Sequence, residues 1–192
     1  DFAECDAGTD NCSTAEFGFK EFHGTWKLPN YQGGSAPFAQ SGGGVLLSEQ
    51  GVPTRLGTHS FRFSLTIPDG VAPAGGWPIV ISSYSAGGSF RHVVESGLAQ
   101  QLSAIRDPLS GSTHGVALLS ITQVASGERL GDTSEAPMLL WENLGNPAAI
   151  LGNGMQAVGD MVAVVENIDF AHDALVAAGH EGLNVEKIAI LG

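Results

Sequence analysis

The clearest pattern in the chain is the strict alternation of apolar and polar residues in HSFRFSLTIP, residues 59–68. The apolar face of this stretch is formed by Phe61, Phe63, Leu65 and Ile67. A period of two is typical of a strand that has one face in the core, and antiparallel sheets often show it. We therefore predict an antiparallel strand here, followed by a turn-rich connection to the next element.

Three further stretches are apolar over most of their length and predict strands that are buried on both faces. They are WPIVISSYS at 77–85, GVALLSITQV at 115–124 and KIAILG at 187–192. Parallel strands that are covered by helices on both sides have this composition. We expect these three strands to form the parallel part of one sheet.

Two stretches between the strands have apolar residues at helical spacing. Ser89 is a candidate N-cap for the first helix, whose apolar face would hold Val94, Leu98, Leu102 and Ile105. Asn153, with Gln156 three residues later, forms a variant of the capping box and is expected to open the second helix. Gly179 is a natural end for that helix. Its apolar face would be formed by Val158, Met161, Val162, Val165, Ile168 and Leu175.

The order of these elements predicts an α/β fold with a mostly parallel sheet, an antiparallel first strand or strands, and flanking helices. Residues 45–192 carry this pattern. Residues 1–44 are rich in Gly, Ser, Asn and isolated aromatic residues and end in SGGG. We interpret them as an irregular, Gly/Ser-rich N-terminal arm with at most a few short strands.

Composition narrows the possible functions. The 192 residues are 43% hydrophobic and 15% charged, which predicts a real core. With eight Lys and Arg and a net charge of -12, the chain is a poor match for nucleic acid, whose binding depends on cationic side chains. No apolar run approaches the roughly 18 residues that span a bilayer, so we expect no transmembrane segment. The start at Asp1 rather than Met suggests that a leader has been removed.

The two cysteines lie close together in CDAGTDNC. A metal site would need more thiolate or imidazole ligands than this segment holds, so we expect a Cys5–Cys12 disulfide and no metal. Calcium is the alternative for Asp6 and Asp10 with Asn11, although their spacing matches no complete loop motif. A disulfide indicates an oxidising compartment, and we expect a secreted or cell-surface protein, periplasmic or extracellular.

The last predicted strand runs into Gly192, and two kinds of site begin in this way. One is the glycine-rich dinucleotide fingerprint, and the other is the nucleophile elbow G-x-S-x-G. A dinucleotide fingerprint usually follows the first strand of its domain, whereas this strand comes after more than a hundred residues of sheet. The position therefore favours an elbow, and a nucleotide-binding oxidoreductase remains the weaker alternative.

Several segments resemble those of α/β-hydrolase esterases and lipases. PAGGWPIVISSYSAGGSFRHVVESGLAQQLSA, residues 73–104, is similar to the family segment in which a strand ends in His-Gly-x-Gly-Gly. Residues 115–132 are similar to the next strand, which commonly ends in Asp before a His-Gly-x-Arg loop. Residues 141–165 resemble the Asn-x-x-Asn-Pro stretch and the helix before the elbow, and KIAILG resembles the elbow strand. The likeness covers roughly residues 66–192.

This resemblance implies that the chain is the N-terminal portion of an α/β-hydrolase, with the nucleophile just beyond Gly192. No catalytic residue is then expected within the chain, and no cofactor is needed. The six histidines would serve other roles: His23, His59, His92, His114, His172 and His180. A second polypeptide or a continuation is expected to cover the elbow strand, which would otherwise be an exposed edge.

The resemblance also implies that the loop after the first parallel strand supplies one oxyanion-hole donor. The backbone amides of Ser85 and Ala86 are the expected donors, and the alternative is that Gly87 and Gly88 only make the turn into a helix. Tyr84 and Ser85 stand where the family usually has His-Gly. The chain also has Thr122 at the position of the strand-ending Asp and Ser126 at the position of the loop His.

Three side chains are candidates for the substrate pocket. Tyr84 and Trp141 could line an acyl pocket, although such aromatic residues are more often core. Arg129 could bind a substrate carboxylate or, as we favour, a loop carboxylate at Glu128 or Asp132. The sequence thus predicts a secreted carboxylic-ester hydrolase of esterase or lipase type. The alternative is an inactive hydrolase-like subunit that acts as a scaffold in an extracellular assembly.

Overall fold

A computed structural model describes residues 2–5, 12, 18–84, 86–106 and 113–192 of the chain. Its strands are β1 (Phe2–Glu4), β2 (Phe19–Asn30), β3 (Gly57–Pro68), β4 (Trp77–Ser82), β5 (Ile105–Arg106), β6 (Thr113–His114), β7 (Ala117–Ile121) and β8 (Leu183–Leu191). Its α-helices are α1 (His92–Glu95), α2 (Leu98–Leu102), α3 (Pro137–Trp141), α4 (Pro147–Glu166) and α5 (Ile168–Ala177).

The main sheet has six strands in the order β1-β2-β3-β7-β4-β8. The pairings of β1 with β2, β2 with β3 and β3 with β7 are antiparallel, whereas β7 with β4 and β4 with β8 are parallel. The α/β layout agrees with the sequence prediction. The description "mostly parallel" is wrong for the described residues, because antiparallel pairings outnumber parallel ones and the sheet is mixed.

The N-terminal segment contributes more to the sheet than its composition indicated. Residues 19–30, which were interpreted as part of an irregular arm, form a twelve-residue strand that pairs with β3 along its whole length. Phe22, Trp26 and Leu28 alternate along this strand and are buried in the main core. The interpretation of residues 1–44 as an irregular arm was wrong for this segment. The Gly- and Asn-containing segments on either side of the strand hide the alternation of apolar and polar residues within it.

Helices cover both faces of the sheet. On one face, Ile79 and Ile81 of β4 lie in the main core together with residues of α4 and α5, such as Leu175 of α5. The opposite face carries a smaller cluster in which Leu118 of β7 packs with Val93 of α1 and Ala99 of α2. A strand buried on both faces needs apolar residues at successive positions, which explains the continuous apolar runs of β4 and β7. The same prediction is wrong for β8 in the described structure, where most of the strand is exposed because it lies at the edge of the sheet.

Both predicted helices are interrupted. The first is divided into α1 and α2 at Gly97, whose φ of 74° leaves the helical region, and Ile105 lies in β5 rather than in the helix. The predicted N-cap is wrong, since Arg91 rather than Ser89 holds that position, although Ser89 Oγ accepts the Arg91 N–H at 3.0 Å. The second helix is divided into α4 and α5 at Asn167.

The predicted start of the second helix is wrong by nearly two turns. The helix begins at Pro147, with Asn146 as the N-cap residue, so Asn153 and Gln156 lie in its interior rather than in a capping box. Proline is well suited to the first helical position, since its missing N–H has no partner there in any case. The capping-box spacing came from two residues that serve a buried polar face, described below.

One face of α4 is apolar and exposed. Leu151, Val158 and Val162 have exposed fractions of 72%, 66% and 52%. Among the described residues, α4 is the one helix that is long and apolar enough to cross a membrane. The mean hydropathy of its most apolar 18-residue stretch is 1.4, and 44% of that stretch is buried within the protein. Its hydrogen bonds to the sheet through buried polar side chains are those of a core helix.

The predicted disulfide is confirmed. Cys5 and Cys12 are bonded, with their Cα atoms 5.5 Å apart. The calcium alternative rested on Asp6, Asp10 and Asn11, which lie outside the described residues.

Candidate functional site

The candidate site lies where the carboxyl ends of β4 and β8 meet. The two strands are parallel neighbours, with Ser82 beside Leu191. The Ser83 N–H donates a hydrogen bond to the Leu191 carbonyl at 2.7 Å. A Cβ placed on Gly192 would lie 3.7 Å from the Ser83 carbonyl oxygen. The loop that leaves β4 therefore starts in contact with Leu191, the last residue of β8, and next to Gly192.

A buried serine, Ser126, binds the backbone of the loop at residues 86–88. Ser85, one of the two expected oxyanion donors, lies outside the described residues. Ala86, the other, packs against an apolar cluster that includes Trp141. The Gly87 N–H donates to Ser126 Oγ at 2.7 Å, and Gly87 has a φ of 88°, which glycine adopts without strain. Among the described residues, the Ala86 N–H has no hydrogen-bond acceptor.

Tyr84 forms an exposed aromatic wall at the start of the loop. Its side chain is 43% exposed, and its ring stacks on His92 with the centroids 3.4 Å apart. A Cβ on Gly88 would overlap the Tyr84 ring, so glycine lets the loop pass beneath it. Burial lowers the pKa of His92 from its ordinary value of 6.5, an effect that Glu95 partly opposes. The ring that supports Tyr84 is thereby kept neutral to lower pH.

The loop after β7 faces the same end of the sheet and is tied to its own start. Glu128 Oε1 accepts the Thr122 hydroxyl at 2.9 Å and the Arg62 N–H at 2.7 Å. Ala125 and Gly127, on either side of Ser126, have φ values of 55° and 46°. A left-handed alanine is uncommon and persists only where its surroundings enforce it. Glu128 supplies a carboxylate next to the position where an Asp was expected and Thr122 stands.

Arg129 anchors this loop to α4. Its Nη1 lies 2.6 Å from Asp160 Oδ2 and donates to the Thr122 carbonyl at 3.1 Å. The side chain is 7% exposed and Asp160 is fully buried. The partner carboxylate is thus that of Asp160. The prediction from the sequence, Glu128 or Asp132, was wrong. This burial leaves the guanidinium little access to a substrate carboxylate.

Asp160 belongs to a buried polar face of α4 that sequence reasoning missed. Gln156 Nε2 donates to Asp160 Oδ1 at 2.7 Å, and Gln156 Oε1 accepts the Tyr31 N–H at 2.7 Å. His59 Nε2 lies 3.3 Å from Asp160 Oδ1. Asn153 Oδ1 accepts from Gln32 Nε2 at 2.9 Å. The three α4 residues follow the helical spacing i, i+3, i+7, which is the signal that could have revealed them.

The Asn-x-x-Asn-Pro stretch has a positional role next to this network. Asn143 Nδ2 donates to the Ala39 carbonyl at 2.7 Å, and Asn146 Nδ2 donates to the Phe38 and Gly42 carbonyls at 2.9 and 3.1 Å. Both side chains hold the segment before β3 against the start of α4. Hydrogen bonds to the carbonyls of a loop satisfy groups that have no regular partner.

A second buried charge pair lies on the opposite face of the sheet. Arg91 Nε and Nη2 donate to the two carboxylate oxygens of Glu21 at 2.7 and 3.0 Å, and this contact raises the pKa of Arg91. Cys5, Glu21 and His23 are close enough to suggest a metal site. The Cys5 sulfur, however, is bonded to Cys12, and both Glu21 oxygens already accept from Arg91. These residues therefore do not form an open set of ligands.

The histidines have other partners in the described structure. His23 contacts Glu21, His180 contacts Glu4, and His172 Nδ1 lies within hydrogen-bonding distance of the Leu183 backbone. Trp77, the first residue of β4, is buried in the main core.

Comparison of the chain with protein-family models, curated proteins and solved structures finds no match in any of the three.

Proposed function

We propose that this chain is the N-terminal portion of a secreted serine hydrolase that cleaves carboxylic esters, with the nucleophilic serine just beyond Gly192. One observation carries the proposal: β8 is the parallel neighbour of β4, and the Ser83 N–H binds the Leu191 carbonyl. In a nucleophile elbow, one oxyanion donor follows the serine and the other comes from the loop after a nearby strand. Strand neighbours bring these two donors together.

The proposed chemistry is acyl transfer. The serine attacks the ester carbonyl, a histidine accepts its proton, and an acidic residue orients that histidine. All three groups lie outside this chain in the proposal. The chain contributes the amide of Ala86, with that of Ser85, to stabilise the negative charge that develops on the carbonyl oxygen. Tyr84 and Trp141 would border the acyl group.

The outer edge of β8 supports a second part of the proposal, that a second polypeptide or a continuation of the chain covers this edge. In the described structure β8 pairs only with β4. Ile190 and Leu191 are 58% and 45% exposed. A groove of about 460 Å³ lies between Ile190 and the apolar residues Val158 and Val162 of α4. An exposed edge of this kind is a template for further strand pairing.

Export from the cytosol is proposed from the disulfide. The disulfide joins Cys5, which directly follows β1, to Cys12, and disulfides persist mainly in oxidising compartments. The proposed location is extracellular or periplasmic.

The test combines intact mass, peptide sequencing across Gly192 and labelling with a fluorophosphonate probe. We expect a Gly-x-Ser-x-Gly sequence, in this chain or in a tightly bound second one, and covalent labelling of its serine. Hydrolysis of p-nitrophenyl esters of different acyl length then defines the substrate class. A sequence without that serine, or a serine that the probe does not label, would contradict the proposal.

The alternative is a scaffold with the same architecture and no activity. It is favoured by the residues that replace the polar site groups of the family, namely Tyr84 with Ser85, Thr122 and Ser126. Fold alone does not decide between the two, because function depends on the site. A protein that assembles normally but neither reacts with the probe nor hydrolyses esters would establish the scaffold.

A further inference from the structure

We propose that Ser126 is a positioning residue that fixes the loop at residues 86–88 and assigns the oxyanion-binding amide to Ala86. This inference rests on the proposed ester hydrolysis. It goes further in naming a residue that controls the reaction without touching the substrate.

The contact is short, and its acceptor is buried whereas Gly87 lies at the surface. Ser126 is 0% exposed, and its Oγ accepts the Gly87 N–H at 2.7 Å. The nearest acceptor for its own hydroxyl hydrogen is the Val124 carbonyl at 3.5 Å, which is too long for a strong bond. The hydroxyl therefore acts mainly as an acceptor. Because this acceptor is fixed in the interior and the bond contributes about 1 kcal/mol, the Gly87 end of the loop is held at the position of this hydroxyl.

Occupation of the Gly87 amide decides which amide remains for the substrate. A donor that is already bonded within the protein cannot also bind a developing oxyanion at full strength. The adjacent Ala86 N–H has no acceptor among the described residues. Ala86 also packs into the cluster of Val124, Leu140 and Trp141, which fixes its position from the other side.

Ser126 is in turn held by the loop on which it lies. The left-handed conformations of Ala125 and Gly127 turn the chain sharply on both sides of it. The Arg129–Asp160 ion pair fixes one end of the loop to α4, and the bond from Thr122 to Glu128 closes the other. A continuous set of contacts thus leads from the buried face of α4 to the candidate oxyanion site.

The unmodified protein offers the first test, by site-resolved amide hydrogen exchange using NMR on a ¹⁵N-labelled sample. We expect the Gly87 amide to be protected and the Ala86 amide to exchange freely. Free exchange at Gly87, or protection at Ala86 equal to that at Gly87, would overturn the assignment without requiring any variant to fold.

The second test compares Ser126→Ala with Ser120→Ala. Ser120 is also 0% exposed, and its hydroxyl has no partner among the described residues, so it is a matched control for loss of a buried hydroxyl. We expect Ser126→Ala to speed exchange at Gly87 by about three- to ten-fold, from the net strength of one hydrogen bond. Ser120→Ala should leave that rate unchanged. Equal rates in both variants would refute the positioning role.

Kinetics in the protein that carries the elbow serine provide the functional readout. Removing an oxyanion donor outright lowers kcat by about 10²–10³, so a displaced donor should lower it by about 10- to 100-fold with KM nearly unchanged. Ser120→Ala should retain full activity. If the unmodified protein neither reacts with the probe nor hydrolyses esters, the proposed function fails, while the exchange data still decide whether Ser126 holds the loop. If it is active and Ser126→Ala leaves kcat unchanged, the positioning role is wrong.

Discussion

The buried ion pair between Arg129 and Asp160 gives the sharpest test of how the site is supported. Asp160→Asn keeps the size of the side chain but removes its charge and places an amide where a carboxylate faced a guanidinium. Asp160 is fully buried, and Arg129 Nη1 lies 2.6 Å from Asp160 Oδ2. The substitution therefore leaves a buried cation without its counter-charge.

The expected effect follows from that burial. Breaking a buried pair by removing one partner costs about 3–5 kcal/mol, because the remaining charge is uncompensated. For a chain of 192 residues, this corresponds to a fall in Tm of roughly 6–20 °C, at about 2–4 °C per kcal/mol. Lys20→Met is the matched control: its pair with Glu4 is 3.8 Å long and exposed on both sides, and its loss should change stability by at most about 0.5 kcal/mol.

Urea denaturation followed by circular dichroism measures both variants under identical conditions. Arg129→Met and the double variant complete a cycle that isolates the pairwise coupling, which should exceed about 1 kcal/mol. A loss below about 1 kcal/mol for Asp160→Asn, or no difference from Lys20→Met, would refute the view that this pair holds the loop. Because Arg129 also binds the loop carbonyl of Thr122, Asp160→Asn should in addition speed amide exchange at Gly87.

Two further predictions address packing and pH. Gly152→Ala should destabilise the protein by about 1–3 kcal/mol or more in urea denaturation, because the added Cβ would overlap the Gly43 carbonyl oxygen. Gly154→Ala on the same helix is the control: its Cβ meets no atom, so it should stabilise the protein by up to about 1 kcal/mol. Equal effects of the two substitutions would contradict the close approach of Gly152 to Gly43. The free energy of unfolding should fall as the pH drops below 6.5 toward the lowered pKa of His92, since burial disfavours the charged ring. His92→Phe should remove that part of the pH dependence, because phenylalanine keeps the stack on Tyr84 but does not titrate. Denaturation at pH 7.5 and 5.5 measures it, and an unchanged pH difference in the variant would show that other groups are responsible.

Local patterns were sufficient for much of the sheet. The alternation in β3 and the apolar runs of β4, β7 and β8 each predicted a strand within a few residues of its observed bounds. For β3, β4 and β7 these signals reflect which faces of the strand are buried, whereas β8 is apolar although most of it is exposed. The pairing of β4 with β8 supports the interpretation of the last strand, but neighbours in a sheet were not readable from periodicity alone.

The helix boundaries and the polar network were harder to predict because both depend on tertiary contacts. Asn153 and Gln156 fit a capping box by spacing, yet they are buried among hydrogen bonds from Gln32 and Tyr31. Those partners are more than a hundred residues away in the chain. The role of Ser126 had no local signal either, since it depends on where the loop containing Gly87 folds back.

The two edges of the sheet differ in how well they can pair with a further strand. The β1 edge has a strand of three residues, beyond which β2 presents Lys27 and Pro29, and proline has no N–H to offer a new strand. The β8 edge is nine residues long and carries no proline. Among the described residues, a further strand therefore has a template on the β8 side only. In the proposed enzyme, this is the side that a continuation or a second polypeptide covers, so the completed sheet would no longer offer that template.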